Sequence, residues 1–170
     1  MNEPLLRVDA LSHRFANAGT RWAVRDATAR DVPNLLMLYE TSGIDRPGEN
    51  DPERAAAHWS ALRKAGAHVF IAETGDGQPL GTLTLFILPL LAHATAPAAL
   101  VEDVAVHPAA QGKGIGRRLI HEAMERASAA GCYKLALSSN EKREAAHAFY
   151  DNLGFQRHGF SFVVPLGGAR

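Results

Sequence analysis

A turn with three alternate glycines, placed between an apolar strand and an amphipathic helix, constrains this chain more than any other feature. Residues 111–116 (QGKGIG) follow an apolar run from Leu100 to Val106. The apolar residues after the turn share one helical face: Ile115, Leu119, Ile120, Ala123, Met124 and Ala127. Glycines let the backbone N–H groups of such a turn point outward together. With the positive end of the helix dipole behind them, these donors predict a site for a phosphate-type anion.

Two familiar phosphate loops do not fit the spacing. A Walker loop requires Gly, four residues and then Gly-Lys-Ser/Thr, and the chain has no such run. A dinucleotide fingerprint requires G-x-G-x-x-G, whereas Gly112, Gly114 and Gly116 read G-x-G-x-G. The next predicted strand also ends in Ser138-Ser139 instead of an acidic residue for a ribose. The pattern that remains is Gln-x-x-Gly-x-Gly.

That pattern, following a strand and opening a helix, resembles the pyrophosphate loop of the GNAT superfamily of N-acetyltransferases. Downstream, Asn140 and residues 146–155 (AHAFYDNLGF) are similar to the second motif of that family. Together the two motifs cover about a third of the chain. The resemblance implies an acetyl-CoA-dependent N-acetyltransferase that transfers acetyl directly to a primary amine in a ternary complex, with acetyl-CoA as the cosubstrate.

The composition narrows the class of protein. A chain of 170 residues suits one domain, and 18 basic residues balance 18 acidic ones, so no overall field favours nucleic acid or a membrane surface. Cys132 is the only cysteine, which excludes an intramolecular disulfide and favours a reducing compartment, here the cytoplasm. The residues after Met1 lack the pattern of a secretory leader, and the apolar run from Leu83 to Leu91 is too short to cross a membrane.

The order of predicted elements resembles that of a GNAT-like acyl-CoA N-acyltransferase fold. We expect an irregular arm over residues 1–20 and one α/β (α+β) domain over 21–170, with a mixed sheet of six to seven strands and four helices. The strands are expected at 22–26, 68–73, 80–88, 100–106, 133–138, 155–158 and 160–164. The helices are expected after Thr28 or Asp31, over 52–64, from Ile115, and from an Asn140 cap to Gly154.

Two adjacent carboxylates lie in the apolar strand that leads to the glycine turn. Ideal alternation places Glu102 with Val104 and Val106 on one face of the sheet and Asp103 with Ala105 on the other, although a bulge would alter this. Carboxylates in an apolar strand are costly to bury unless they are hydrogen-bonded or functional. One of them is therefore a natural base for an ammonium substrate.

The identity of that base stays open at this stage. Glu102 is the first choice, and Asp103, His107 acting through water, or a purely structural role for both carboxylates are the alternatives. No spacing of histidine or cysteine suggests a metal site, so none is expected.

The resemblance also implies which residues bind the cosubstrate. Strand backbone would pair with its pantetheine arm, the turn would bind its phosphates, and the expected residues are Val104, Ala105, Val106, Gln111, Gly112, Lys113, Gly114, Ile115, Gly116, Arg117 and Asn140. Gln111 is neutral where many relatives have arginine, so we expect charge from Lys113, Arg117 and Arg118. Basic residues at a helix N-terminus oppose the dipole, which favours a functional role for them.

Tyr150 is the expected general acid. It lies about 100° around its helix from Phe149, at the edge of the apolar face. A phenol can donate a proton to a departing thiolate, and the family's tyrosine at this position is credited with that role.

The acceptor and the assembly are less constrained by the sequence. The resemblance implies acceptor walls from residues 41–51 and 157–161, and a small metabolite amine as the substrate. The alternatives are a peptide or protein amine, or a non-catalytic acyl-CoA-binding module that regulates a partner. The apolar segments Phe160 to Val164 and Leu5 to Phe15 could bury surface in a homodimer.

Overall fold

The computed structural model describes residues 21–164 and Leu166. The arm expected over residues 1–20, with the dimer contact expected at Leu5 to Phe15, lies outside the described residues. The chain divides into two compact units, the first ending at Ala136 and the second beginning at Leu137.

Five strands and four α-helices make up the described chain. The strands are β1 (Trp22–Asp26), β2 (Ala67–Thr74), β3 (Pro79–Leu88), β4 (Ala98–Val106) and β5 (Leu135–Leu137). The helices are α1 (Val32–Ser42), α2 (Pro52–Lys64), α3 (Ile115–Ala129) and α4 (Glu144–Asp151). Short 3-10 turns are found at Ala29–Asp31, His93–Thr95 and Pro108–Ala110.

The sheet has the strand order β1-β2-β3-β4-β5. Neighbours among β1 to β4 pair antiparallel, and α3 leads from β4 to β5, the next strand in the sheet. The predicted α/β class and the four helices are confirmed, but the described residues contain five strands instead of six or seven. Residues 155–158 and 160–164 form no strand there, because their backbone groups find no ladder partner.

Helices cover both faces of the central strands. On one face, Val69 and Ile71 of β2 pack against Leu35 and Tyr39 of α1 and against α2. On the other face, Gly81 of β3 lies directly under α3, where a Cβ would meet Ile115 Cγ2 at 3.0 Å and Leu119 Cδ1 at 3.2 Å. A side chain has no room at Gly81, so this glycine sets how closely α3 approaches the sheet.

A charged network fixes the entry to α1. Thr28 and Asp31 form a capping box, in which the Thr28 N–H donates to Asp31 Oδ2 at 2.7 Å. The two terminal guanidinium nitrogens of Arg25 each donate to the Asp31 carboxylate at 2.8 Å, and Arg25 also donates to the Glu73 carboxylate. The hydrogen bonds from Arg25 hold the pKa of Asp31 well below its usual range, and the predicted cap at these residues is confirmed.

Two predicted boundaries are wrong. Asn140 does not cap α4, because that helix begins at Glu144 and the Asn140 Oδ1 instead accepts from the Lys142 N–H at 2.9 Å, closing a turn upstream. The strand expected from Tyr133 is shorter than predicted and is observed only as β5, although the Tyr133 N–H already donates to the Pro97 carbonyl and the Ala99 N–H to the Lys134 carbonyl.

Candidate active site

The glycine turn has the backbone that an anion site requires. Gly112 and Gly114 have φ angles of 74° and 82°, in the left-handed region. A Cβ at either position would meet nothing within 4 Å, so conformation and not space calls for glycine. The first intrahelical bond of α3 runs from the Arg118 N–H to the Gly114 carbonyl at 3.0 Å. The amides of residues 115–117 precede it and are available to a ligand.

The three basic residues near the turn are not equivalent. Arg118 is paired along its own helix with Glu122 at 2.8 Å and with Glu125 at 3.7 Å. Within residues 21–164, Lys113 and Arg117 form no salt bridge. Two of the three expected cations therefore keep their charge for a ligand, while that of Arg118 is largely satisfied by carboxylates.

The residues leading into the turn hold its geometry. The His107 Nδ1 accepts from the Ala109 N–H at 3.2 Å, at the start of the turn Pro108–Ala110. The Gln111 side-chain amide donates to the Val106 carbonyl at 3.4 Å, so it folds back toward the end of β4. Gln111 thus fixes the joint between strand and turn in addition to its expected place at the phosphate loop.

A bulge interrupts β4 at the two carboxylates. The register passes from Glu102 opposite Thr84 to Ala105 opposite Thr82, so two residues of β4 stand opposite one position of β3. Asp103 has a φ of 53°, a left-handed conformation that Asp adopts more readily than most residues. A bulge leaves backbone groups unpaired in the ladder. The strand therefore offers free donors and acceptors at the point where the carboxylates lie.

The bulge changes which residues share a face. Residues opposite each other in a ladder point to the same face, so Glu102 and Ala105 both lie on the face covered by α1. Val106 is opposite Gly81 and belongs to the face under α3. Simple alternation, which grouped Glu102 with Val106 and Asp103 with Ala105, is wrong because the extra residue shifts the phase.

Burial and neighbouring charge raise the pKa of both carboxylates. For Glu102, partial burial is the main cause and the charge of Asp103 adds to it. For Asp103, desolvation raises the pKa and the charge of Asp45 adds to it. Asp45 lies in the loop between α1 and α2, inside the range 41–51 expected to wall the acceptor. Three carboxylates therefore interact where a cationic amine is expected.

Tyr39 is a candidate that the sequence did not reveal. Its position on α1 predicts a packing residue, and its ring does pack against the core beside Leu35. Burial raises the pKa of its phenol to about 12, and the charge of Asp103 contributes, while the hydroxyls of Thr84 and Thr82 act in the opposite direction. The phenol therefore stays protonated at neutral pH. Its closeness to Asp103 depends on tertiary packing, which no local pattern signals.

A pocket of about 290 Å³ borders the glycine turn. Its walls include Trp22, Met37, His107, Lys113 and Ile115. Neither Glu102 nor Asp103 lines it. We therefore place the chemistry at the bulge of β4 and not in this pocket.

The expected general acid belongs to the second unit. Tyr150 lies near the end of α4, with its ring edge-on to Phe149 and Phe155 at centroid distances of 5.1 and 5.6 Å. Burial raises the pKa of the Tyr150 phenol, and the charge of Arg143 partly offsets this. Tyr150 is thus a protonated donor at neutral pH. Asn140 lies in the same unit, and its backbone carbonyl oxygen is 2.9 Å from His147 Nε2.

Among the described residues, no cluster of three or more His, Cys, Asp or Glu side chains could hold a metal ion. In the same part of the chain, no helix combines the length and the apolar character needed to cross a bilayer.

A bulged central strand that runs into a glycine turn with free amides is suited to an extended ligand that carries a phosphate group. Comparison with known proteins gives the particular family: residues 31–155 match the family model described as acetyltransferase (GNAT) family. The chain belongs to this family and is an N-acetyltransferase, as the resemblance in the sequence predicted.

Individual relatives agree with the family match. The chain is 31% identical to a probable glucosamine 6-phosphate N-acetyltransferase 2 of Oryza sativa subsp. japonica over 82% of its own length and 83% of that protein. It is 37% identical to a glucosamine 6-phosphate N-acetyltransferase of Trypanosoma brucei brucei over 48% of this chain. That match spans about half of the relative, 54% of its length. A crystal structure of a Trypanosoma brucei acetyltransferase superimposes with a TM-score of 0.77 at 26% identity, covering 86% of this chain and 100% of the other.

Proposed function

We propose that the protein transfers acetyl from acetyl-CoA to the primary amine of a small metabolite, by direct attack within a ternary complex. The observation that carries the proposal is the continuity of β4: the bulge with its carboxylates lies eight residues before the anion-binding turn. In this proposal, one strand connects the carboxylates that would receive an ammonium group with the turn that would bind a pyrophosphate. The names of the relatives support a small-molecule acceptor.

The residues of the turn suit acetyl-CoA. The amides of residues 115–117, together with Lys113 and Arg117, would hold its diphosphate. Backbone groups of Val104 to Val106 would pair with the pantetheine arm. When bound, acetyl-CoA supplies an activated acyl group as a thioester.

The carboxylates would prepare the amine. An alkylammonium has a pKa of about 10, so it must lose a proton before its nitrogen can attack. In the proposal Glu102 takes this proton through a water molecule, and Asp103 is the alternative base. Both carboxylates, with Asp45, would also attract the cation before it reacts.

Two donors would complete the reaction. In the proposal, the Val104 N–H donates to the carbonyl oxygen of the acetyl group as negative charge develops there. A bond forms between the amine nitrogen and the acetyl carbon, and the bond from that carbon to sulfur breaks. Tyr150 would then donate its proton to the departing thiolate. The proposed location is the cytoplasm, in keeping with the single cysteine.

A panel of acceptors tests the reaction. With acetyl-CoA present and thiol release as the readout, we expect turnover with small amines, starting with glucosamine 6-phosphate and an aminoalkylphosphonate. A peptide with a free N-terminal amine and a lysine peptide serve as the competing class. Turnover with the peptides alone would contradict the proposed acceptor, and no turnover with any amine would contradict the proposed reaction.

The Gly114→Asp variant tests the turn. An acidic side chain there repels the diphosphate, so acetyl-CoA should no longer raise the melting temperature, whereas at 100 times Kd it stabilises the wild type by about 2.7 kcal/mol. Gly131→Asp is the matched control, because Gly131 also has a positive φ, 73°, and open space, but lies beyond the other end of α3. Unchanged binding by the Gly114 variant in calorimetry would refute the site.

A further inference from the structure

The pocket that borders the glycine turn has no role in the chemistry proposed at the bulge of β4. Its volume of about 290 Å³ lies close to the lower end of the range for pockets that bind small molecules, roughly 300–1,000 Å³. Its walls belong to the first unit, between the start of β1 and the first residue of α3. The pocket therefore has room for a ligand of one or two rings.

Apolar side chains from both helices and strands form most of this lining. Trp22 opens β1, Met37 lies on α1 and Leu80 lies on β3, and each of these side chains is only half-buried. The buried residues Pro79 and Ile115 complete the apolar part. An indole stacks on other aromatic rings, and a thioether sulfur makes favourable contacts with their edges. These walls suit a flat aromatic ring.

Two polar groups in the same lining favour an anion. Lys113 is exposed, and within residues 21–164 its ammonium group forms no salt bridge. The His107 Nδ1 accepts from the Ala109 N–H, so the neutral ring carries its proton on Nε2, which bonds no other described residue. None of the described residues in the lining is acidic. A carboxylate accepts from an ammonium group and from an imidazole N–H, so it complements this wall.

We propose that the pocket is a regulatory site for a small aromatic carboxylate, whose ring packs against Trp22 and Met37 and whose carboxylate pairs with Lys113. The ligand and acetyl-CoA would then share one cation, because Lys113 is also expected at the diphosphate; this step rests on the proposed function. The two anions also repel each other across the turn. Occupancy of the pocket should therefore lower the affinity for acetyl-CoA, and acetyl-CoA should lower the affinity for the ligand by the same factor.

Calorimetry with 2-naphthoate, in the absence of acetyl-CoA, tests the pocket itself. This probe has about 13 non-hydrogen atoms, which at the usual binding efficiency of small ligands gives a Kd of about 1 mM or tighter. Its neutral analogue 2-naphthamide should bind about 10-fold more weakly, because hydrogen bonds to a charged group are the stronger ones. Equal binding of the two compounds, or no binding of 2-naphthoate at about 10 times the expected Kd, would overturn the proposal.

A substitution on α1 tests whether the probe lies in this pocket. Met37→Glu adds a carboxylate to the wall, which repels the probe and competes for Lys113, so the Kd of 2-naphthoate should rise by about 10-fold or more. Met37→Leu keeps an apolar side chain of similar volume and should bind the probe within about threefold of the wild type. Met124→Glu is the matched control, because Met124 is also half-buried on a helix, α3, but is not in the lining. Normal binding by a folded Met37→Glu protein would refute the site.

Titration of acetyl-CoA at increasing 2-naphthoate concentration tests the regulation. The Kd of acetyl-CoA should rise by roughly 5- to 150-fold and then level off when the pocket is full. A rise without limit would mean that the probe occupies the acetyl-CoA site, and an unchanged Kd would mean that the sites are independent; either result overturns the proposal. A protein that binds 2-naphthoate but not acetyl-CoA would support the pocket and contradict the proposed function, whereas the reverse result would contradict the pocket alone.

Discussion

Adding one methyl group at Gly81 tests whether the close contact beneath α3 positions the site. In Gly81→Ala, the new Cβ would lie 2.9 Å from the Ala105 carbonyl oxygen, 3.0 Å from Ile115 Cγ2 and 3.2 Å from Leu119 Cδ1. Carbon and oxygen normally approach to about 3.3 Å, so the backbone of β4 or the axis of α3 must move by roughly 0.4 Å. The oxygen is backbone and cannot rotate away.

The expected loss of stability follows from this strain. Overpacking a well-filled site costs about 1–3 kcal/mol, and Gly81→Ala should lie near the middle of that range, at about 2 kcal/mol. For a chain of 170 residues this lowers the melting temperature by roughly 4–8 °C. Because Ala105 follows the bulge and Ile115 opens α3, the affinity for acetyl-CoA should fall as well.

Denaturant unfolding followed by circular dichroism measures the first effect, and calorimetry with acetyl-CoA measures the second. Gly75→Ala is the matched control, since the nearest atom to its Cβ is the Arg21 carbonyl oxygen at 3.9 Å, an ordinary contact. The control should unfold within about 0.5 kcal/mol of the wild type. A Gly81→Ala protein as stable as the control would refute the argument that this contact sets the distance between α3 and the sheet.

Three further predictions concern the chemistry. Tyr150→Phe keeps the ring but removes the phenolic proton, so kcat should fall by about 10² to 10⁴ with little change in acetyl-CoA affinity. Near-normal turnover, under conditions where chemistry limits the rate, would show that the tyrosine only packs. Glu102→Gln should lose activity at neutral pH and regain it as the pH rises, because more of the amine is then deprotonated without a base. If Asp103→Asn shows this recovery and Glu102→Gln does not, Asp103 is the base. Asp45→Asn removes a charge that raises the pKa of Asp103. If Asp103 is the base, the acidic limb of the kcat/KM profile should therefore shift to lower pH. An acidic limb that does not move argues against Asp103 as the base.

Local patterns predicted most of the first unit. Alternation placed β1 to β3 within a residue or two, and helical periodicity with a proline start placed α2 at its observed bounds. The glycine turn was predicted for the correct reason, since its left-handed angles are a local property of the backbone.

The parts that were mispredicted or missed depend on tertiary contacts. Alternation cannot reveal the bulge at Asp103, because the phase shift appears only against the partner strand. Asp103 interacts electrostatically with Tyr39 and with Asp45, which lie about 60 positions away in the sequence. Arg118 was expected at the phosphates although Glu122, four residues on, could have signalled an ion pair along the helix.

The left-handed backbone of Asp103 also limits which sequences can evolve at this strand. At a φ of 53°, glycine, asparagine and aspartate are tolerated, whereas a β-branched or bulky residue adds strain of roughly 1–3 kcal/mol. Selection can therefore vary residue 102 by its chemistry alone, but residue 103 must satisfy the chain geometry before any chemistry is considered. Among descendants of this sequence, we expect a narrow set of substitutions at 103 even in lineages that change their acceptor, and a wider set at 102.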